Sequence, residues 1–373
     1  MNKNWKIGII KIGLFLTMSL LVIGCCYKND VEIVQGANNN EDVSFKGIVD
    51  IIDENEKVNI MFVHGMGGYA VTDNTPDSCK VMYEVKKHIN TLNIQEFWDV
   101  DKKKLRSCSA SLDDYNGEPK KVLIRAIDWS QVTIFRKWDL MDYDEESVLE
   151  SYRANTTKNI KRDLINYNLA DVVMYVGEQR NKITSSVMES MSNINRKNPN
   201  AKNVFITFSL GSAVVLDILE HAQNPKEYIN YLKQKNISFS NLDEDNIQKQ
   251  LSLLNSIDID MIYMMANQIP LLKTGTSKDK LQNMYKPFSK YFTSKEGIRL
   301  VAFSDPNDIL SYALCEECLE DDLKDKYANV AISIADKTYH IPFYKNLDFV
   351  NYMTAHLGYV HNDNVLTILM KGR

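Results

Sequence analysis

Residues 203–217 read NVFITFSLGSAVVLD. The first six, NVFITF, suit a short buried strand, and the run SLGSAVVLDILEHA (209–222) suits a helix that is apolar on most sides. Between them stand Ser209 and Gly211. A serine on a sharp strand-to-helix turn presents its hydroxyl above the carboxyl edge of a sheet. The usual pattern for this is G-x-S-x-G, in which small neighbours relieve the crowding of a strained serine backbone. Gly211 meets that need, while Thr207 occupies the place of the first glycine and Phe208 the place between. Serine is also a good N-cap. Taken alone, the stretch reads as readily as a capped turn as it does as a nucleophile.

Working outward, short apolar runs alternate with helical periods. VNIMFV (58–63), KVLIRAIDWS (121–130), DIDMIYMMA (258–266) and GIRLVAF (297–303) read as strands, and LADVVMYV (169–176) holds another short apolar run. Residues 78–92 place Val81, Val85, His88 and Ile89 at helical spacing. Residues 180–197 do the same with Ile183, Val187, Met191 and Ile194. The tail HNDNVLTILMKG (361–372) ends in an apolar helix. This alternation predicts βαβ units around a mainly parallel central sheet flanked by helices, with the ligand site beyond the carboxyl ends of the strands. Three stretches without sheet character, 130–168, 223–256 and 270–296, are candidates for a lid.

Three of the chemistry-bearing motifs, HGMGG, the Ser209 turn and SDPND, follow strand ends. HGMGG (64–68) follows the first strand, where backbone amides can face a carbonyl oxygen; Met66 N–H and Leu210 N–H are the candidate donors. Taken alone, HGMGG is a tight turn. His64 is read as support for that turn. SDPND (304–308) offers Asp305, which shapes a turn before Pro306, and Asp308, the preferred acid. TAHLGYVHNDN (354–364) offers His356, the preferred base, and His361, read as a loop or helix-start residue. His88, His221 and His340 read as surface or packed residues. The chain order Ser209, Asp308, His356 is that of a nucleophile, its orienting acid and its base.

With HGMGG, SLGS, DPND and AHLGY in hand, the chain resembles α/β-hydrolase-fold serine esterases and lipases over roughly residues 57–370. The resemblance implies an α/β-hydrolase fold and the Ser209–Asp308–His356 triad. It also implies an oxyanion hole from the Met66 and Leu210 amides, an ester or lipid substrate, and no metal or organic cofactor. Three alternatives stay open: a thioesterase or amidase using the same residues, a catalytically degenerate surface-binding protein, and an oxidoreductase built on Cys315-Glu-Glu-Cys318. The last is weak, since that motif does not open a helix after a first strand.

At the N-terminus, Lys3, Lys6 and Lys11 precede an apolar run (12–23), and Val22-Ile23-Gly24-Cys25 resembles a bacterial lipobox. The expectation is a signal peptide (1–24), lipidation of Cys25, a flexible tether (25–45) and one catalytic domain (46–373) held at the bacterial cell membrane after export. A plain signal peptide or an uncleaved anchor is the alternative. Export permits disulfides. For Cys315 and Cys318 the reading is loop thiols or a local bridge. A formal charge of −5, from 44 basic and 49 acidic residues, carries no footprint of a nucleic-acid partner.

Overall fold

The computed structural model describes residues 32–36, 43–67, 71–72, 75–99, 104–115, 117–234, 244–334, 338–340, 348–350 and 352–373. The expected signal segment and Cys25 lie outside the described residues. Part of the expected tether does not. Glu32–Gly36 forms strand β1, and Phe45 exchanges two backbone hydrogen bonds with Arg373, each 2.9 Å.

Eight strands between Lys57 and Ile332 build one sheet, and β1 adds a ninth at its edge. They are β2 (Lys57–Val63), β3 (Asn93–Asp99), β4 (Lys104–Tyr115), β5 (Glu118–Ile127), β6 (Lys202–Phe208), β7 (Asp258–Met265), β8 (Leu300–Ser304) and β9 (Tyr327–Ile332). Their order across the sheet is β1-β9-β8-β7-β6-β2-β5-β4-β3. From β9 to β5 every neighbouring pair is parallel. The β3–β4–β5 meander and the β1–β9 pair are antiparallel. The sheet is therefore mixed, which corrects the expectation of a mainly parallel one. Of the strands the sequence does not mark, β3, NIQEFWD, is largely exposed and carries no buried apolar run, whereas β9, YANVAI, is mostly buried but short. Apolar runs mark only strands covered on both faces. The run at 169–176 is helical.

The helices that matter here are α1 (Ile48–Glu54), α2 (Asp77–His88), α3 (Ile134–Glu145), α4 (Ala170–Val176), α5 (Arg180–Lys197), α6 (Leu210–Gln223) and α7 (Asp363–Lys371). Side chains alternate across the central strands and feed two cores. Met61, Val63 and Phe205 pack with α5 and α6. Ile60, Phe62, Val204, Ile206 and Phe208 pack with α1, α2 and α7. Because both faces are covered, the strands read as continuous apolar runs and not as alternating ones.

Two disulfides are present. Cys315–Cys318 closes a short turn, a local bridge. Cys79–Cys108 joins α2 to β4 across a sequence separation of 29 residues. A closed loop of that length restricts the unfolded chain, so Cys79→Ser with Cys108→Ser is expected to cost about 3–4 kcal/mol. Urea unfolding of the pair against the parent checks this, and an unchanged midpoint refutes it.

Candidate active site

The turn between β6 and α6 settles what Ser209 is locally. Ser209 adopts φ 53° and ψ −122°, a conformation that costs an L-residue of order 1–3 kcal/mol. Its N–H donates to Met265 O at 2.8 Å, which ties the turn to the end of β7. No side-chain capping hydrogen bond is made by Ser209. The N-cap reading of this serine therefore loses its hydrogen bond.

The neighbours at 207 and 211 explain how the strain is held. A Cβ on Gly211 would fall 2.4 Å from Val63 O and 2.7 Å from His64 O, both backbone atoms that cannot step aside. Glycine there lets the start of α6 lie against the end of β2. Thr207 is fully buried, and its Oγ1 shares a 2.8 Å hydrogen bond with Ser212 Oγ. The first turn of α6 presents a small hydroxyl to the threonine, and the extra bulk is absorbed as a polar contact.

Three side chains distant in sequence meet at this turn. His356 Nε2 is 3.2 Å from Ser209 Oγ, and Nδ1 is 2.9 Å from each Asp308 oxygen. A carboxylate only accepts, so Nδ1 carries the proton and Nε2 faces the serine hydroxyl as an acceptor. Asp308 is fixed in turn: Oδ1 accepts from Leu310 N–H at 3.0 Å and Oδ2 from Tyr359 O–H at 3.1 Å. Burial, reinforced by the Asp308 charge, raises the Tyr359 phenol well above its ordinary range, so it stays a donor. Tyr359 accepts from Asp305 N–H at 2.8 Å and so links the two aspartates. Asp305 spends its own oxygens on Asn307 N–H and Ile334 N–H, each 2.7 Å, and shapes the loop as its place before Pro306 predicts. Phe208 lies with its ring centroid 5.6 Å from that of His356.

The glycine turn after β2 abuts the serine. A Cβ on Gly65 would fall 2.6 Å from Ser209 Cβ, so the backbone leading into Met66 passes directly over the nucleophile candidate. His64 braces this turn. Its Nδ1 donates to Gly65 O at 2.6 Å, its Nε2 lies 3.1 Å from the Trp129 backbone nitrogen, and its ring stacks on Trp129 with centroids 4.6 Å apart. Asp128 Oδ1 lies 3.1 Å from the same Nε2. Burial works against the Asp128 charge, but His64 and the Ser130 hydroxyl and amide outweigh it and hold the carboxyl down to about 2. Leu210 is the first residue of α6, where a backbone N–H has no acceptor within its own helix.

Ser209, Asp308 and His356 are 0, 4 and 3 % exposed, so a reagent reaching the serine must displace part of what covers it. A cavity of about 640 Å³ lined by Arg180, His221, Tyr228 and Lys273 contains none of the three. His361 stands apart from them, 3.4 Å from Asp77 Oδ1 and beside Lys80. His221 packs on Tyr228, with centroids 3.9 Å apart, and His88 is exposed at the end of α2. Among the described residues no group of three His, Cys, Asp or Glu side chains is placed to hold a metal ion, and no helix is long and apolar enough to cross a membrane.

Sequence reasoning missed Tyr359, Asp128, Lys137 and Asp171. Tyr359 had a usable signal, since it follows His356 by three residues in AHLGY. The others come from remote segments that only the fold brings together. A comparison with protein-family models finds no match to this chain, and a comparison with curated proteins finds none either.

Proposed function

We propose that the protein is a serine hydrolase that cleaves carboxylic esters, lipid esters among them, through an acyl-enzyme on Ser209. One observation carries the reading: a serine at φ 53° whose Oγ faces a histidine nitrogen at 3.2 Å, with that histidine held by a carboxylate at 2.9 Å. Neither a plain N-cap nor a binding surface requires the three together. His356 takes the Ser209 proton as Oγ attacks the ester carbonyl. The Met66 and Leu210 amides receive the developing oxyanion, a role in which one donor is worth about 10²–10³ in turnover. His356 then gives the proton to the leaving alcohol. Water attacks the acyl-enzyme with His356 again as base, and the acid departs.

The same residues would serve a thioester or an amide, so the class rests on relative rates across matched ester, thioester and amide substrates. We further read the parallel centre of the sheet, with its candidate residues after β2, β6, β8 and β9, as an α/β-hydrolase fold. An exported form held to a membrane through lipidated Cys25 would set this site beside lipid esters. A fluorophosphonate probe tests the central claim. Labelling mapped to Ser209 in the folded protein is expected, and an unlabelled Ser209 in protein that melts cooperatively sinks the reading.

A further inference from the structure

The glycine turn is gripped from a segment that the reaction itself does not use. Gly67 has φ +80°, a conformation that favours glycine, and a Cβ there would press on the Asn168 side chain, 2.0 Å from its Oδ1. Its N–H donates to Asp171 Oδ2 at 2.6 Å. The same oxygen receives Lys137 Nζ at 2.6 Å, and both side chains are 0 % exposed. The ammonium lies 4.5 Å from the centre of the Tyr167 ring. Asp171 Oδ1 is buried with no hydrogen-bond partner among the described residues. Helices α3 and α4 thus each commit one charged residue to the interior at a single point, next to the amide of Met66.

A fully buried ion pair is costly to assemble and is weak evidence for stability. Its placement suggests another use. The Gly67 amide needs an acceptor to hold the turn, and a carboxylate is a strong one. Yet a bare carboxylate one residue from Met66 N–H would oppose the negative charge that forms on a substrate oxygen there. At low dielectric that repulsion is large. Lys137 cancels it while leaving the hydrogen bond in place. Burial pulls the Lys137 ammonium down from its ordinary range, and Asp171, followed by Asp128, opposes that pull.

We infer that Asp171 and Lys137 are positioning residues for the oxyanion turn: Asp171 fixes Gly67 N–H so that Met66 N–H points at the substrate oxygen, and Lys137 neutralises Asp171 so that the oxyanion is tolerated. The inference rests on the proposed hydrolase reading and goes beyond it, because it assigns a function to the segment over 134–176. It also makes the sign of each substitution specific. Lys137→Met leaves an uncompensated carboxylate beside the oxyanion. Asp171→Asn keeps an acceptor for Gly67. Lys137→Met with Asp171→Asn keeps the acceptor and removes both charges, whereas Lys137→Met with Asp171→Ala removes the acceptor as well.

The experiment measures kcat and KM for a soluble nitrophenyl ester, and the rate of fluorophosphonate labelling of Ser209, on the full chain and these variants. Lys137→Met is expected to lower kcat about 10²-fold, the scale of one oxyanion donor, with KM changed less than about threefold. Lys137→Met/Asp171→Asn is expected to recover at least about tenfold of that loss, and to exceed Lys137→Met/Asp171→Ala by about tenfold in kcat. If Lys137→Met alone does not fold, the two charge-free double variants still decide the matter. Equal kcat in that pair, or losses confined to KM or to thermal stability, overturn the inference. A parent protein that neither turns over ester nor labels at Ser209 rejects the hydrolase reading, and this inference with it. A parent that does both, with flat kcat across the variants, rejects this inference alone.

Discussion

Ser209→Ala is expected to lower ester turnover about 10⁶-fold, because a nucleophile and its base act as a unit and loss of either removes nearly all of their joint effect. The fold should not change. Ser209 Oγ is bonded to His356 Nε2 at 3.2 Å, and the turn is held by backbone, through Ser209 N–H to Met265 O at 2.8 Å. Alanine at φ 53° carries the same backbone strain as serine. His356 keeps its bonds to Asp308. The variant should therefore melt within about 1 kcal/mol of the parent, as a substitution that opens only a small void does. The paired measurement separates chemistry from folding: turnover on a graded ester series beside a thermal or urea midpoint. Turnover that survives in a purified, folded variant would assign the reaction to another group.

Asp308→Asn is expected to cost about 10⁴ in kcat, and the reason is the histidine tautomer. The carboxylate now forces the proton onto His356 Nδ1. Leu310 N–H and Tyr359 O–H, at 3.0 and 3.1 Å, already claim acceptor positions on the carboxyl. An asparagine satisfies one of them with its carbonyl and turns its NH₂ toward the ring. Nδ1 must then accept, the proton moves to Nε2, and Nε2 can no longer receive the serine proton. The neighbouring aspartate is an internal control. Asp305 accepts two backbone amides through its carboxyl, at 2.7 Å each, so Asp305→Asn should cost stability of order 1 kcal/mol and leave kcat within about tenfold. Equal kinetic losses in the two variants would mean that the loop is being damaged and not the tautomer.

Much of the central architecture is legible in the sequence because its strands are buried on both faces and read as apolar runs. Helix α5 appears in full from its 3-to-4 spacing, and Ser209 and Asp308 follow strand ends, where a glycine, a proline or a change of period marks the boundary, while His356 lies on a short helix over Tyr352–Leu357. The edges are not legible in the same terms. Strand β3 is mostly exposed, and β4, KLRSCSASLDDY, has few apolar residues to periodise. Its one strong cue is Asn116-Gly117 before β5, a dipeptide that favours a tight hairpin and so implies antiparallel pairing. Strand β1 sits in an Asn-rich segment whose composition reads as linker. Its order comes from a partner edge, β9, nearly three hundred residues along the chain. The site divides likewise. The serine, acid and histidine are residue types whose chemistry announces itself in order. Asp171 and Lys137 are ordinary charges on amphipathic-looking segments, and only burial beside Gly67 makes them unusual.

The contact between Thr207 and Ser212 has a consequence for how such chains diverge. Under the serine turn two side chains meet, at 2.8 Å between their hydroxyls, and Thr207 Oγ1 also lies 3.4 Å from Tyr263 O, so a change at 207 is felt at 212. In descendants of this chain the two sites should drift together. A glycine or alanine at 207 would release 212 to grow, and a larger residue at 207 would be tolerated only with glycine, alanine or serine at 212. Read this way, the pattern to look for in distant relatives is a serine flanked by a compensating pair five residues apart, and a fixed glycine two residues before it is only one member of that set.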